Sequence, residues 1–322
     1  MTTRGRFLAA GAAGAAAAAF PTAIFAQSRR TLQIGYVPST LFAPVFVAIE
    51  KGYLRDAGFD AVANPIVAGQ DAMALIAQGQ LDVVAAALSA AFFNAVNRNL
   101  DVRFVGATAY QPRKGHPTAL LVREDLYAGG LRSVAGLKGR KLGWIGGPGA
   151  ASGYYVARIL RGANLKLADI DGVNIANPDQ EVALDRKAID AVFTSAPFTD
   201  IFQTKKLAHF LAGPPPGIAA SGIFYGPNLL RDHERARAVM GALRKAASEI
   251  TGAGYYAPQN VEAYAKYTKQ PIEVLRKADR YDTPADLRID QGTLEDMQRV
   301  YVDQGILKFG QPLNEVRLVA RF

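Results

Sequence analysis

The residues best placed to do chemistry lie in GWIGGPGAASGYYVARIL, Gly143 to Leu160, where a glycine-rich turn joins an apolar run to a helix-like pattern. A phosphate-cradling loop needs a Lys-Ser/Thr pair after its last glycine, but Gly153 is followed by Tyr154 and Tyr155. The dinucleotide fingerprint Gly-x-Gly-x-x-Gly is met by Gly147 and Gly149, with Ser152 in the third place. A nucleophile elbow needs a glycine two residues to each side of its serine, and Ser152 has Ala150 and Tyr154 there. What remains is a strand, a turn and a helix whose first N–H groups lack intrahelical partners and attract polar or anionic ligand atoms. An ordinary strand-to-helix loop whose glycines serve packing alone is the alternative. His116, His209 and His233 stand far apart with no ligand spacing, so no metal site is expected. The chain has no cysteine, which excludes a thiol nucleophile, thiolate metal ligands and an N-terminal lipid-modified cysteine.

The 322 residues are 50% hydrophobic and 20% charged, as expected for one large or two modest globular domains. The net charge of +9 is spread without basic runs or interleaved aromatics, which argues against nucleic acid as a partner. Residues 1–26 have the plan of a secretory signal peptide: Arg4 and Arg6, an Ala-rich apolar run, Pro21, and AIFA before Gln27. Removing those two arginines from +9 leaves +7 on a mature chain expected in the periplasm.

These residues need elements to position them. From TLQIGYV onward strand and helix signals alternate: FAPVFVAIEKGYLRDAG reads as a helix, FDAVANPIVA as a strand, DAMALIAQG as a helix, LDVVAAA as a strand, AAFFNAVNRN as a helix and VRFVGATA as a strand. The rhythm restarts at TALLVRE and runs through KLGWIG, the helix from Ala151, DGVNIAN, PDQEVALDRK and IDAVFTS. ALIAQGQLDVVAAA and VALDRKAIDAVFTS align on Asp82 and Asp190, an internal echo that fits two similar lobes. From Pro227 the patterns are helical, which suggests a tail packing back on the first lobe. The expected fold is α/β, with mostly parallel sheets flanked by helices. TALLVRE and AASGIFYG serve as the two crossing strands of a hinge. The expected domains are 30–115 plus 226–322 for lobe 1 and 116–225 for lobe 2.

Four segments carry a resemblance: IGYVPSTLFAPVFVAIEKGYLRDAGFD, ALIAQGQLDVVAAALSA, LKGRKLGWIGGPGAASGYYVARILRGANL and AIDAVFTSAPF, with the ending YVDQGILKFGQPLNEV. In order and spacing they resemble the periplasmic solute-binding proteins of ABC importers, in the sulfonate/nitrate/taurine and thiamine-pyrimidine-precursor group. The resemblance covers nearly the whole mature chain. It implies a two-lobed, type II periplasmic-binding-protein clamp, a ligand in the cleft and delivery to an ABC permease in the inner membrane; a small organic ligand, a monomer, no cofactor and no catalysis are expected beside it.

In such folds ligands sit at the carboxyl ends of strands and at helix N-termini. That rule selects Pro38, Ser39 and Thr40 after the first strand, Leu88 and Ser89 after DVVAA, Gly147, Gly149, Ala151 and Ser152 after KLGWI, and Thr194 and Ser195 after IDAVF. Gln70 follows NPIVA, and Leu41, Phe42 and Tyr110 add apolar contacts. A valine at Gly149 is expected to harm binding more than loss of the Ser152 hydroxyl. Two departures matter. Thiamine-precursor binders carry a histidine where this chain has Phe42, and TSAPF puts Ser195 where many relatives have a carboxylate. Cleft charges are scarce, which points to a neutral or weakly anionic ligand held by hydroxyls, backbone and apolar walls. The rival readings are a ligand-sensing subunit for a signalling receptor and an enzyme of the same fold acting on a pyrimidine precursor. The second needs a cluster of catalytic side chains at the strand ends that the chain does not offer.

Overall fold

The computed structural model describes residues 29–67, 69–309 and 312–322, without the side chains of Gln70 and Pro178. The expected signal peptide lies outside the described residues. The first sheet is built from β1 (Arg30–Tyr36), β2 (Phe59–Pro65), β3 (Val83–Ala87) and β4 (Arg103–Ala109). The second is built from β5 (Thr118–Arg123), β6 (Lys141–Trp144), β7 (Asp171–Asn174), β8 (Ala191–Ser195) and β9 (Ala208–Ala212). A last strand, β10 (Ser221–Tyr225), returns to the first sheet. The orders are β2-β1-β3-β10-β4 and β7-β6-β8-β5-β9. They are one pattern used twice. Three neighbouring strands run parallel, and the next, β10 or β5, runs antiparallel to the strands on both its sides. In each sheet that antiparallel member is the first strand made after the chain crosses over.

This corrects the expected boundary. β10 was expected inside lobe 2 and, with β5, as a crossing strand, yet each lies within one sheet. Ser221–Tyr225 is buried along its whole length and bonds to β3 on one side and β4 on the other, the behaviour of an interior strand covered on both faces. The crossings are the non-strand segments 110–117 and 213–220. They are tied together where Gln111 N–H donates to Ile218 O (2.9 Å) and Gly217 N–H donates to Gln111 O (2.8 Å).

The Asp82–Asp190 echo has a physical basis. Asp82 N–H donates to Gln33 O (2.9 Å) while its carboxylate accepts from Gln33 N–H (2.8 Å), which fastens β1 to the start of β3. Asp190 does the same for Lys141, at 2.8 and 3.1 Å, between β8 and β6. The two aspartates hold equivalent corners of the two sheets, away from the strand ends that face each other.

Helices follow from apolar spacing. In His233–Glu249 the buried Ala236, Val239, Met240, Leu243, Ala246 and Ala247 recur at helical intervals, and the Asp232 side chain caps the start by accepting from Arg235 N–H (3.0 Å). This helix and Pro258–Thr268 pack on Ala43–Glu50 against the first sheet. FAPVFVAIEKGYLRDAG is not one helix. Gly52 adopts a left-handed conformation (φ +72°) between Ala43–Glu50 and the turn Tyr53–Asp56. The tail does not pack on the first lobe alone. Helix Gln291–Asp303 lies against both Ala90–Asn97 and Ala151–Arg161, where Tyr154 Oη donates to Asp296 (2.8 Å) and Arg158 pairs with the same carboxylate. One apolar core accordingly runs from Phe104 and Phe224 of the first sheet, with Phe92 on the helix beside it, to Trp144 of the second and Leu160 on helix Ala151–Arg161. Among the described residues no helix is long and apolar enough to cross a membrane.

Candidate ligand-binding site

The strand ends of the two sheets enclose a cavity of about 150 Å³. Six strands bring their carboxyl ends to it. Val37 to Ser39 follow β1, Val67 and Gly69 follow β2, and Leu88 and Ser89 follow β3. From the other sheet, Ile145 and Gly146 follow β6, Asn177 follows β7, and Phe193 to Ser195 close β8. The antiparallel strands bring their starts instead: Thr118 pairs with Ser195, and Ser221 pairs with Ala87.

Of the residues selected from sequence, Pro38, Ser39, Leu41, Phe42, Leu88, Ser89, Ala151, Ser152, Thr194 and Ser195 line this cavity. The side chain of Gln70 lies outside what the structure describes. Four selected residues do not line it. Thr40 is buried behind the wall. Tyr110 faces a second, open cleft beside the crossings and donates to Arg288 O (2.8 Å). Burial, with the nearby Asp290 charge, pushes its phenol up to about 12. Gly147 and Gly149 use their carbonyls as acceptors, Gly147 O from Ala150 N–H (3.2 Å) and Gly149 O from Ala90 N–H (2.8 Å).

The glycine loop is thus a fastening more than a cradle. Gly146 and Gly147 take positive φ (+75° and +72°), and Gly146 N–H donates to Asn174 Oδ1 (2.7 Å). Ser152 Oγ donates back to Ile145 O (2.6 Å), so its proton does not face a ligand. Ser89 and Ala150 form an antiparallel bridge that joins the two sheets' rims directly. Tyr301 Oη, donating to Ala150 O (2.8 Å), braces the same point. What positions the loop is a contact from the other sheet, which no local motif encodes.

Strand-end reasoning missed Asn177, Tyr155, Phe193, Thr118 and Ser221 among the lining residues. Asn177 could have been found, since it follows the strand DGVN by three residues. Thr118 and Ser221 could not, because a rule about carboxyl ends overlooks the start of an antiparallel strand.

The polar inventory decides what the site can do. Thr118 Oγ1 is occupied by Gln111 Nε2 (3.1 Å) and Tyr281 Oη (2.9 Å), and Thr194 Oγ1 donates to Asn177 Oδ1 (3.2 Å). Tyr155 Oη accepts from Ala220 N–H (3.1 Å), and burial raises its pKa, so the phenol stays protonated. Ser89 and Ser221 are 4% and 1% exposed and their hydroxyls have no protein partner. Among the described residues, none lining the cavity is Asp, Glu, His, Lys or Arg. Nor do the described residues contain a group of three or more His, Cys, Asp or Glu able to hold a metal ion. For an anion the site offers helix ends, worth about 0.3–1 kcal/mol each and up to about 2 when partly buried. Bringing an ion out of water without a countercharge costs several kcal/mol, so the balance favours groups without net charge. The arrangement can enclose and hydrogen-bond a small molecule, and it presents no acid–base pair.

Two α/β sheets of one repeated order, joined by two crossings around a ligand-sized cavity, define the periplasmic-binding-protein fold. Solved structures share it across nearly the whole chain. They include the alkanesulfonate-binding protein SsuA of Xanthomonas axonopodis pv. citri bound to MOPS, at 17% identity and TM-score 0.72 over 92% of this chain and 100% of that one. The periplasmic aliphatic sulphonate binding protein SsuA of Escherichia coli matches at 18% and 0.70 over 91% and 98%. The periplasmic nitrate-binding protein NrtA of Synechocystis PCC 6803 matches at 12% and 0.65 over 88% and 83%. No curated protein matches the chain. The NMT1/THI5-like family matches residues 39–252, and the chain belongs to that family.

Proposed function

We propose that the chain is the solute-capturing component of an ABC importer: exported by its first 26 residues, it closes on a small organic ligand and presents it to a permease in the inner membrane. The observation that carries this is the cavity between equivalent strand ends of two sheets, lined by backbone, hydroxyls and apolar side chains. Family membership and the functions of the structural neighbours support it. The proposed lobes divide at the crossings, with β10 in the first. Leu88 and Ser89 from one lobe and Thr194 and Ser195 from the other are proposed to meet the ligand. Binding stabilises the folded state by mass action, by about 2.7 kcal/mol at a hundredfold excess over the dissociation constant.

The experiment is a thermal-shift screen of sulfonates, nitrate, bicarbonate, carboxylates, amides and pyrimidines on the exported protein, followed by recovery of the hit. A raised melting temperature and an unaltered compound are expected. A chemically altered compound would replace transport with catalysis.

A further inference from the structure

This inference rests on the capture reading above and narrows its ligand. We infer that the cleft takes an uncharged molecule of about aromatic-ring size, whose amide, carbonyl or hydroxyl group meets the hydroxyls of Ser89 and Ser221.

Three observations carry it. First, among the described residues no wall of the cavity bears a charged side chain. A carboxylate or sulfonate entering there loses its hydration and gains no countercharge. The helix end at Ala151 carries only a fractional positive charge. Around it, Ala90 and Ala150 N–H are engaged with loop carbonyls and the Ser152 hydroxyl with Ile145 O, which leaves only the neutral N–H groups of the helix's first turn.

Second, two hydroxyls of the lining are buried without a protein partner. Ser89 and Ser221 are buried with unpartnered hydroxyls, while Thr118, Ser152 and Thr194 already bond within the protein. Ser221 pairs in register with Ala87, and Leu88 N–H donates to Ala220 O, so both serines lie at one end of the β3–β10 ladder. Buried polar groups as a rule have partners, which marks this end of the cavity as the place where a ligand's polar group belongs. A hydroxyl both donates and accepts. An amide or alcohol uses both capacities, whereas an ionised carboxylate or sulfonate can only accept.

Third, the remaining walls are apolar: Leu41, Phe42, Leu88, Ile145 and Phe193. A cavity of about 150 Å³ with such walls has the size that accepts a single aromatic ring.

The test compares benzamide, benzoate and benzenesulfonate, three probes with one ring and different charge, on the mature protein at neutral pH by thermal shift and calorimetry. Benzamide is expected to bind at least about tenfold more tightly than either anion. An anion that binds as well as the amide overturns the inference and leaves the capture reading standing. If none of the three binds, the small molecule released on denaturing the purified protein decides: an uncharged one supports the inference and an ionised one overturns it. If nothing binds and nothing is released, the capture reading fails and this inference with it. The double variant Ser89→Ala, Ser221→Ala should keep its ligand-free melting temperature, because neither hydroxyl has a protein partner to lose. Its affinity for the neutral ligand should fall about tenfold. Unchanged affinity, or a ligand-free protein clearly destabilised by the change, overturns the assignment of these serines.

Discussion

Gly149 and Gly153 look interchangeable in GGPGAASG, yet their surroundings differ. A Cβ on Gly153 would stand 2.2 Å from Pro148 O and 2.6 Å from Pro148 Cα, so backbone would have to move. A Cβ on Gly149 would meet Ile306 at 3.5 Å and Ala90 at 3.6 Å, ordinary contact, and Gly149 does not take a positive φ. Gly153→Ala is therefore expected to destabilise by about 2–3 kcal/mol, as overpacking does, while Gly149→Ala stays within about 0.5 kcal/mol. Urea denaturation of the two variants checks this, and equal losses would sink the distinction. The expectation that a valine at Gly149 harms binding more than loss of the Ser152 hydroxyl keeps only its steric part, since Gly149 has no positive φ to strain. Ser152→Ala should lose about 0.5–1.5 kcal/mol of stability through the bond to Ile145 O, with ligand affinity unchanged.

Among elements, the two sheet corners are matched in design and unequal in burial. Asp82, with a side chain 7% exposed, holds Gln33 N–H, Asn228 Nδ2 (3.0 Å) and Arg235 (3.6 Å). Asp190, 24% exposed, holds Lys141 N–H and Arg123, and Arg123 keeps Asp125 and Ile189 O without it. Asp82→Ala should cost about 2–3 kcal/mol, by leaving Gln33 N–H and Asn228 Nδ2 unpaired at a buried corner, while Arg235 keeps Thr31 O. Asp190→Ala should cost about 1–2 kcal/mol, measurable in the same denaturation series. Helix Phe198–Thr204 offers a pH test. Burial, and then the charge of Asp279, raises the pKa of Asp200 above the ordinary 3.8. The native state therefore takes up this proton more readily than the unfolded chain. Stability from this group is full below the unfolded pKa, falls as pH rises through the window above it, and is a penalty at neutral pH. Asp200→Asn should raise the melting temperature at pH 7, and the gain should vanish below about pH 4. A gain that persisted or grew in acid would rule out this account.

For the molecule as a whole, the crossings 110–117 and 213–220 let two sheets move by changing few backbone angles, as in other hinged binding proteins. Closure has identifiable contacts: the bond from Ala90 N–H to Gly149 O, the Ser89–Ala150 bridge, and Asp296 joining helix Gln291–Asp303 to Tyr154 and Arg158. A ligand touching both sides adds to these and shifts the population toward the closed form. Solution scattering should show a smaller radius of gyration with saturating ligand, and an unchanged radius would refute the clamp. Asp296→Ala should enlarge the ligand-free radius and weaken binding severalfold, because fewer molecules are then in the competent state.

What could be read from the chain was local. Apolar spacing and turn residues marked most strands and helices, and the strand-end rule selected Ser39, Leu88, Ser89, Thr194 and Ser195, which line the cavity, because a residue's place at the end of its own strand is written in its neighbours. Asp82 and Asp190 were recognisable as equivalents for the same reason. β9 went unread because its five residues form a short, half-buried edge without alternation. The destination of β10 was not legible, since its partners Ala87 and Ala109 lie more than a hundred residues away and the segment SGIFY fits either sheet. With β10 came Ser221 and, by the same inversion, Thr118. Nor could the sequence say which hydroxyls remain available. Ser152 turned inward and Ser89 did not, because the partner of a buried polar group is chosen by atoms brought near only when the two sheets meet.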